Sequence, residues 1–305
     1  MTYNSDQFSR IALIARTHDA KQGQKQDYKQ SRMLQHIEQL YQLLLTKGKT
    51  VFFDQQTAEH MHFAAHASMP ASDLASRVDI GMVFGGDGRL LEMAPCFAEA
   101  GTPLLGINYG RLGFLADISA DSLQPVMDVL AGRYFLEQRL LIEVKVQRGS
   151  QTLAGGIALN DVVLHATISK MIEFELYINQ KFVYSQRSDG IIVATPTGST
   201  AYALSAGGPI IQPDLDVLTL VPNSAHTLTS RPIVIQADSE IKIRVGHPPY
   251  PIVSCDGQTK IRAKRDDLIL ISKYPSQCVL VHPHDYDFYA TCRTKLDWGK
   301  KLGTS

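Results

Sequence analysis

The chain lacks a charge of one sign: its 30 Lys and Arg are matched by 30 Asp and Glu over 305 residues. Without a basic field there is no electrostatic footprint for nucleic acid, and no such partner is expected. No apolar run approaches the roughly 20 residues needed to cross a bilayer, so no membrane partner is expected either. The first residues, Met1-Thr2-Tyr3-Asn4-Ser5-Asp6-Gln7, lack the charged-then-apolar pattern of a secretory leader. Cysteine is scarce: Cys96, Cys255, Cys278 and Cys292 form no C-x-x-C pair and no metal spacing. That usage fits unpaired thiols in a reducing cytoplasm. A P-loop with its lysine is also missing, so the P-loop route to phosphate binding is not used. What is present is ordinary for a globular protein, 44% hydrophobic and 20% charged residues, in a length that fits two domains.

The first part of the chain alternates strand and helix signals. Arg10–Ala15 reads as a buried strand, and Ser31–Lys47 as an amphipathic helix with Met33, Ile37, Leu40, Tyr41 and Leu44 on one stripe. Gly48 ends that helix. Thr50–Phe53, Val78–Phe84 and Pro103–Ile107 read as further strands, and Asp121–Leu130 as a short helix closed by Gly132. This alternation predicts a mostly parallel sheet covered on both faces, with ligands beyond the carboxyl ends of its strands. From about Arg133 the pattern changes to short, often alternating runs: Leu140–Gln147, Glu173–Ile178, Lys181–Tyr184, Val217–Val221, Glu240–Val245 and Leu268–Ser272. They predict a β-rich second domain. The expected division is residues 1–132, an α/β nucleotide-binding domain, and 133–284, a β-rich domain. The tail 285–305, with Tyr286, Phe288, Tyr289 and the single Trp298, is expected to pack back, because aromatics are costly to expose.

Gly85-Gly86-Asp87-Gly88 lies between the third strand and the helix beginning at Arg89-Leu90-Leu91. Glycines let the backbone bend and approach a ligand closely, and the N–H groups of a helix start form an anion site. A carboxylate in such a turn repels phosphate unless it has other work. Asp87 can hold Mg²⁺ that carries the phosphate, accept a proton from an attacking hydroxyl, or cap the helix. Asn108-Tyr109-Gly110-Arg111 stands at a second strand end. His60, His62 and His66 show no third ligand, so packed or solvated histidines are the better reading than a metal site.

Three stretches interrupt the strand pattern of the second half. Asn160-Asp161 stands directly before the apolar run Val162-Val163-Leu164. Asn offers donor and acceptor, and the carboxylate acceptors only, which suits a base edge plus ribose hydroxyls; an ordinary Asx turn fits equally. Arg187–Pro209 is rich in hydroxyl residues around Tyr202. Buried hydroxyls need partners, which a polar ligand would supply, and Tyr202 offers a face for stacking a base. Ser254-Cys255-Asp256-Gly257-Gln258 contains a good hairpin turn at Asp256-Gly257.

Taken together these stretches resemble the NAD kinase family over most of the chain. Gly85–Gly88 looks like its Gly-Gly-Asp-Gly motif, and Asn108 with Leu112-Gly113-Phe114-Leu115 like the loop that follows. Asn160-Asp161 matches its Asn–carboxylate pair, and Thr195–Pro209 is very similar to its Thr-Pro-Thr-Gly-Ser-Thr-Ala-Tyr block. The resemblance implies an α/β N-terminal domain, Rossmann-like with a mostly parallel sheet, a β-rich C-terminal domain, and an active site in the cleft between them. It implies transfer of the ATP γ-phosphate, with Mg²⁺, to the 2′-hydroxyl of the adenosine ribose of NAD. By the family pattern Asp87 is the general base, and Gly85, Gly86 and Gly88 form the phosphate-facing turn. Asn160 and Asp161 hold the adenosine part. Arg187, Asp189, Thr200, Ala201, Tyr202, Ala203, Leu204 and Ser205 line the dinucleotide site, which Gly88 and Gln258 also contact. A homodimer or homotetramer is implied. Two departures stand out: Val221-Pro222-Asn223-Ser224-Ala225-His226-Thr227, where many relatives carry a bulkier segment, and Lys170, near where some place a His. The alternatives are a lipid or sugar kinase sharing the Gly-Gly-Asp-Gly motif, or a protein that senses NADP without turnover. The Thr195–Pro209 block and Asn160-Asp161 argue against a lipid acceptor, whose site is more apolar. Asp87 with its intact glycines argues against a sensor.

Overall fold

Residues 7–15, 24–61, 68–109, 113–166, 171–224, 230–247 and 250–298 are those described by the computed structural model of the chain, 24–30 by their backbone alone. His62, His66, Gly110, Arg111, Leu112, Lys170 and Ala225–Thr227 lie outside the described residues. Two compact units emerge, Met1–Glu137 with Val279–Ser305, and Gln138–Cys278.

The first unit is built on β1 (Arg10–Ala15), β2 (Thr50–Asp54), β3 (Ser68–Met69), β4 (Ile80–Phe84), β5 (Leu104–Asn108), β6 (Ile118–Ser119), β7 (Tyr134–Arg139) and the strand Cys278–Pro283. Their order is β3-β2-β1-β4-β5, then Cys278–Pro283, then β7, with β6 also beside β5. The registers from β3 through β5 are parallel, as are those of β6 and Cys278–Pro283 on β5. Every residue of β4 and β5 is buried, the continuous apolar pattern of strands covered on both faces. Chain order runs outward from β1 through β2 to β3, then returns to β4 and β5. The sheet therefore changes direction between β1 and β4, and a crevice opens beyond their carboxyl ends. Gly85 begins where β4 stops.

The helices are α1 (Gln24–Thr46), α2 (Gln55–Met61), α3 (Ala71–Ala75), α4 (Asp87–Ala100) and α5 (Gln124–Leu130). The α1 stripe buries Met33, Ile37, Leu40 and Leu44 in one cluster with Ile11, Leu13 and Phe53. α4 begins at Asp87, two residues before the start read from the apolar pattern. Its N-cap is Gly86, with no side-chain cap, so Asp87 stands in the first turn and is not the capping residue. Gly101 ends the helix in the left-handed conformation, φ 67°.

A buried ion pair fixes this helix start. Arg89 is 3% exposed, and its Nη2 donates to Asp54 Oδ2 at 2.7 Å. Glu92, one turn on, lies 2.7 Å from Nη1. Thr57 of α2 donates to the other Asp54 oxygen, and its hydroxyl accepts from the Ala15 N–H at 2.8 Å. The ends of β1 and β2 and the starts of α2 and α4 are thus one network. Removing a single member of a buried pair leaves an uncompensated charge. Arg89→Met should therefore cost about 3–5 kcal/mol in urea denaturation, and adding Asp54→Asn should restore most of that loss.

The second unit contains β8 (Ile142–Arg148), β9 (Gln151–Ala158), β10 (Asp161–His165), β11 (Ile172–Ile178), β12 (Lys181–Ser188), β13 (Gly190–Ala194), β14 (Val217–Asn223), β15 (Ile233–Gln236), β16 (Ile241–Val245), β17 (Ile252–Cys255), β18 (Thr259–Arg262) and β19 (Leu268–Lys273). They form two six-stranded sheets, β12-β11-β16-β19-β8-β9 and β15-β14-β13-β10-β17-β18. Every register is antiparallel. Side chains alternate across each strand. Val162 and Leu164 of β10, Ile191 and Val193 of β13, and Val253 of β17 join one core with Phe174, Ile243 and Ile269 from the other sheet. The opposite face of the β10 sheet is therefore available for a site.

Candidate active site

In β10 the residues that alternate with the core are Asp161, Val163 and His165. Opposite them lie Ser254, paired with Val163, and Lys260, paired with Ser254. Together with Asn160, Ala166, Asp189, Ala201, Tyr202, Asn223, Asp256 and Gly257 they line a cavity of about 870 Å³. The period of two in a strand gathers these groups, because one face is committed to the core.

Asp256 shapes the floor. It sits at the tip of the β17–β18 hairpin with φ 49°, followed by Gly257 at 68°. Its Oδ2 accepts the N–H of Leu159 at 2.8 Å, and its Oδ1 those of Asn160 and Asp161 at 2.8 and 3.0 Å. The hairpin-turn reading of Asp256-Gly257 therefore covers only half of what this residue does. The carboxyl of Asp161, only 5% exposed, has no hydrogen-bond partner among the described residues. Burial, then the nearby negative charge of Asp256, pushes its pKa up to about 7. Burial also raises Asp256, against the three N–H bonds that favour its ionised form.

The hydroxyl-rich block folds over the end of β13 as a short 3₁₀ turn, Thr197–Thr200, followed by α6 (Tyr202–Ser205). Its hydroxyls mostly find partners within the chain. Thr195 Oγ1 donates to the Leu159 carbonyl, and Ser199 Oγ to the Pro196 carbonyl at 2.6 Å. Thr197 accepts from Arg139 at 3.2 Å, and Thr200 donates to Thr197 O at 3.2 Å. The expectation that a ligand supplies these partners is thus replaced by a structural use. The hydroxyls brace the block against Asn160, whose carbonyl accepts the Thr195 N–H at 2.9 Å. A Cβ on Gly198 would lie 2.0 Å from that same carbonyl, so only glycine fits.

Of the residues expected at the dinucleotide site, Asn160, Asp161, Asp189, Ala201 and Tyr202 line the cavity. Tyr202 is 43% exposed, and its hydroxyl accepts from Asn223 Nδ2 at 2.7 Å. Ala203 faces the other way, packed on Ile192, Ala194 and Val221. Thr200, Leu204 and Ser205 are not among the lining residues; Arg187 is exposed on β12, and Gln258 is exposed in the β17–β18 turn. His165, Asn223, Ser254, Asp256 and Lys260 were not singled out from the sequence as site residues. Alternation along β10 was the available signal for His165.

In the first unit Asp87 is held in the manner of Asp256. Its Oδ2 accepts the Phe114 N–H at 2.9 Å, and its Oδ1 those of Leu115 and Ala116 at 3.2 and 3.0 Å. Gly113 admits the carboxylate: a Cβ there would fall 1.7 Å from Asp87 Oδ1. The Gly85 N–H is engaged by the Ile107 carbonyl at 2.9 Å, while Gly86 is exposed at the uncapped start of α4. Each carboxylate oxygen has room for two acceptor contacts. Oδ1 is filled, and Oδ2 keeps one lone pair open.

The raised Asp161 pKa makes a signed prediction. The native carboxyl keeps its proton to higher pH than the unfolded chain does, so stability falls as pH rises from about 4 to about 7. Asp161→Asn removes that loss. Relative to the parent protein it should gain about 2–3 kcal/mol between pH 5 and pH 8 in urea denaturation.

Residues 11–134 match the ATP-NAD kinase N-terminal domain, and residues 159–282 the ATP-NAD kinase C-terminal domain. Curated relatives named NAD kinase include that of Azotobacter vinelandii, 48% identical over 271 residues, covering 88% of this chain and 92% of the relative. That of Chromohalobacter salexigens is 46% identical over 271 residues, with the same coverage of 88% and 92%. That of Pseudomonas putida is 45% identical over 304 residues, 98% of this chain and 99% of the relative. Among solved structures, yeast NADH kinase complexed with NADH superposes with a TM-score of 0.81 at 21% identity, covering 97% of this chain and 89% of that one. An NAD kinase from Archaeoglobus fulgidus in complex with ATP gives 0.72 at 24% identity, covering 94% and 98%. At those identities the structural likeness speaks for the fold; the sequence match over nearly the whole length carries the rest, and the chain belongs to the NAD kinase family.

Proposed function

We propose that this protein is an NAD kinase, transferring the γ-phosphoryl group of ATP to the 2′-hydroxyl of the adenosine ribose of NAD to give NADP. The observation that carries the reading is the cavity on the outer face of the β10 sheet. Its lining is rich in acceptors and amides: Asn160, Asp161, Asp189, Asn223 and Asp256, with Tyr202 exposed beside them. Ribose diols and a base edge need such partners, and a phospholipid tail does not. Lys260 is the single Lys or Arg among the residues lining the cavity, so the pocket suits nucleoside halves better than a chain of phosphates.

Asp87 is the general base, acting through Oδ2. It accepts the proton of the 2′-hydroxyl while the ribose oxygen bonds to the γ-phosphorus. The bond from that phosphorus to the bridging oxygen breaks, and its electron pair leaves with ADP. The Gly86 turn and the uncapped start of α4 offer N–H groups to phosphate oxygens. Gly85, at φ 153°, lets the backbone bend there, and Gly88 continues the first turn of α4. Mg²⁺ arrives as Mg·ATP. Among the described residues no three His, Cys, Asp or Glu gather to hold a metal ion, and Mg²⁺ commonly needs only one or two carboxylates beside phosphate oxygens. The four cysteines form no disulfide, and no described helix is long and apolar enough to cross a membrane. A cytoplasmic location belongs to the same proposal, as does a homodimer or homotetramer, carried over from the resemblance.

Asp87→Asn should lower kcat for NADP formation by about two to four decades while leaving NAD affinity near that of the parent. Stopped assays with Mg·ATP, together with calorimetric titration of NAD, decide this. Full activity in the variant would remove the base from the scheme. The ionised form of Asp161 accepts ribose hydroxyls, so the KM for NAD should fall as pH rises from 6 to 8. Asp161→Asn should flatten that profile, and a parent-like slope would exclude the pair from the ribose contact.

A further inference from the structure

His282 lies in the strand Cys278–Pro283 and is wholly buried. Its Nδ1 donates to Asp117 Oδ2 at 2.8 Å. Its Nε2 stands 2.9 Å from Glu137 Oε2, close enough for an ion pair. The ring stacks on Tyr286, with centroids 4.1 Å apart and planes 18° apart, and Phe135 leans on it at 5.3 Å. A buried imidazole facing a carboxylate at each nitrogen is placed as a cation.

Asp117 depends on this contact. Its side chain is 9% exposed, its Oδ1 has no hydrogen-bond partner, and among the described residues His282 is the one hydrogen-bond partner of its carboxylate. Asp117 follows directly on Ala116. The segment before it, closed by the Gly113 N–H donating to Ala116 O at 2.9 Å, presents the three N–H groups that hold Asp87. Contacts therefore run without a gap from His282 to Asp117, to the 113–116 turn, and to the Asp87 carboxylate.

We propose that His282 is a positioning residue for phosphoryl transfer: clamped between Asp117 and Glu137, it holds the 113–116 turn and so sets the place of Asp87. The inference rests on the reading of Asp87 as the base. His282 touches no reacting atom, and it sits in a different unit from the cavity lined by Asn160 and Tyr202, so its loss acts on turnover and not on NAD affinity. Four groups face the ring: Asp117 from the segment after Ala116, Glu137 and Phe135 from β7, and Tyr286 from the segment after the last strand. Burial draws the His282 pKa down, and the two carboxylates outweigh it, leaving it above the ordinary value. The two carboxylates thus hold the ring charged to higher pH than a free imidazole, and the charge is lost as pH rises through that raised pKa.

The test uses the full chain with Mg·ATP and NAD. His282→Gln should lower kcat about 10- to 100-fold, leave the KM for NAD within about twofold, and lose the alkaline fall of kcat. Glu137→Gln, which keeps the shape of the clamp but removes one negative charge, should move that alkaline limb to lower pH. It carries the test if the His282 variant fails to fold. Parent-like kcat in folded His282→Gln, or an alkaline limb unmoved by Glu137→Gln, would overturn the inference while Asp87→Asn stays inactive. If Asp87→Asn itself keeps its activity, the reading of the base falls first and this one falls with it.

Discussion

One interaction is used twice in this chain, once in each unit: a carboxylate that accepts three consecutive backbone N–H groups. Asp87 takes those of Phe114, Leu115 and Ala116; Asp256 takes those of Leu159, Asn160 and Asp161. In both, Oδ2 receives the first N–H, and Oδ1 receives the second and third. A loop that follows a strand has N–H groups without ladder partners, and they must be satisfied. A hydrogen bond to a charged acceptor is worth about 1.5–3 kcal/mol, roughly twice a neutral one. Three to one carboxylate make a loop as definite as a strand.

The two clamps differ in their surroundings. Asp87 is half-exposed, with a helix start behind it that favours negative charge. Asp256 is enclosed beside a second carboxyl, that of Asp161, whose ionisation is made harder by burial and then by the Asp256 charge. The same geometry thus leaves a group with one lone pair open in one place. In the other it helps to push the pKa of a neighbouring carboxyl up to about 7. Such separation of two like groups by environment is how carboxylates come to hold different roles.

Much of this was legible in the sequence. The stripe Met33, Ile37, Leu40, Leu44 was legible from periodicity, and the apolar runs Val78–Phe84 and Pro103–Ile107 contain most of the strands found at Ile80–Phe84 and Leu104–Asn108. Between β11 and β12 the chain turns on Asn179 and Gln180, which take positive φ at 49° and 64°. Other parts were hidden for physical reasons. Gln151–Ala158 is a strand containing two glycines and polar residues, held by a long ladder with β8 and not by its own propensity. Asp256 and His282 act across the chain on Leu159 and Asp117, and nothing in the few residues around either reports a partner so distant. The hydroxyls of Thr195–Thr200 were visible, but composition does not tell whether a ligand or the chain itself satisfies them. The chain does so for Thr195, Thr197, Ser199 and Thr200.

A carboxylate that takes a proton in a transition state must be in place beforehand, because reorganising it during the reaction adds to the barrier. Asp87 is held on two sides. Behind it, two residues along α4, Arg89 reaches the buried Asp54 and ties the helix start to β2 and α2. In front, the N–H groups of Phe114–Ala116 hold the carboxylate, and the next residue, Asp117, meets His282. Both supports end in ion pairs with little exposure, where screening by salt is weak and a loosened contact leaves a charge without its partner. Such pairs add little net stability compared with apolar packing of the same volume. What they provide is a single permitted geometry, and at the end of β4 that geometry fixes one oxygen of Asp87 with a lone pair still open.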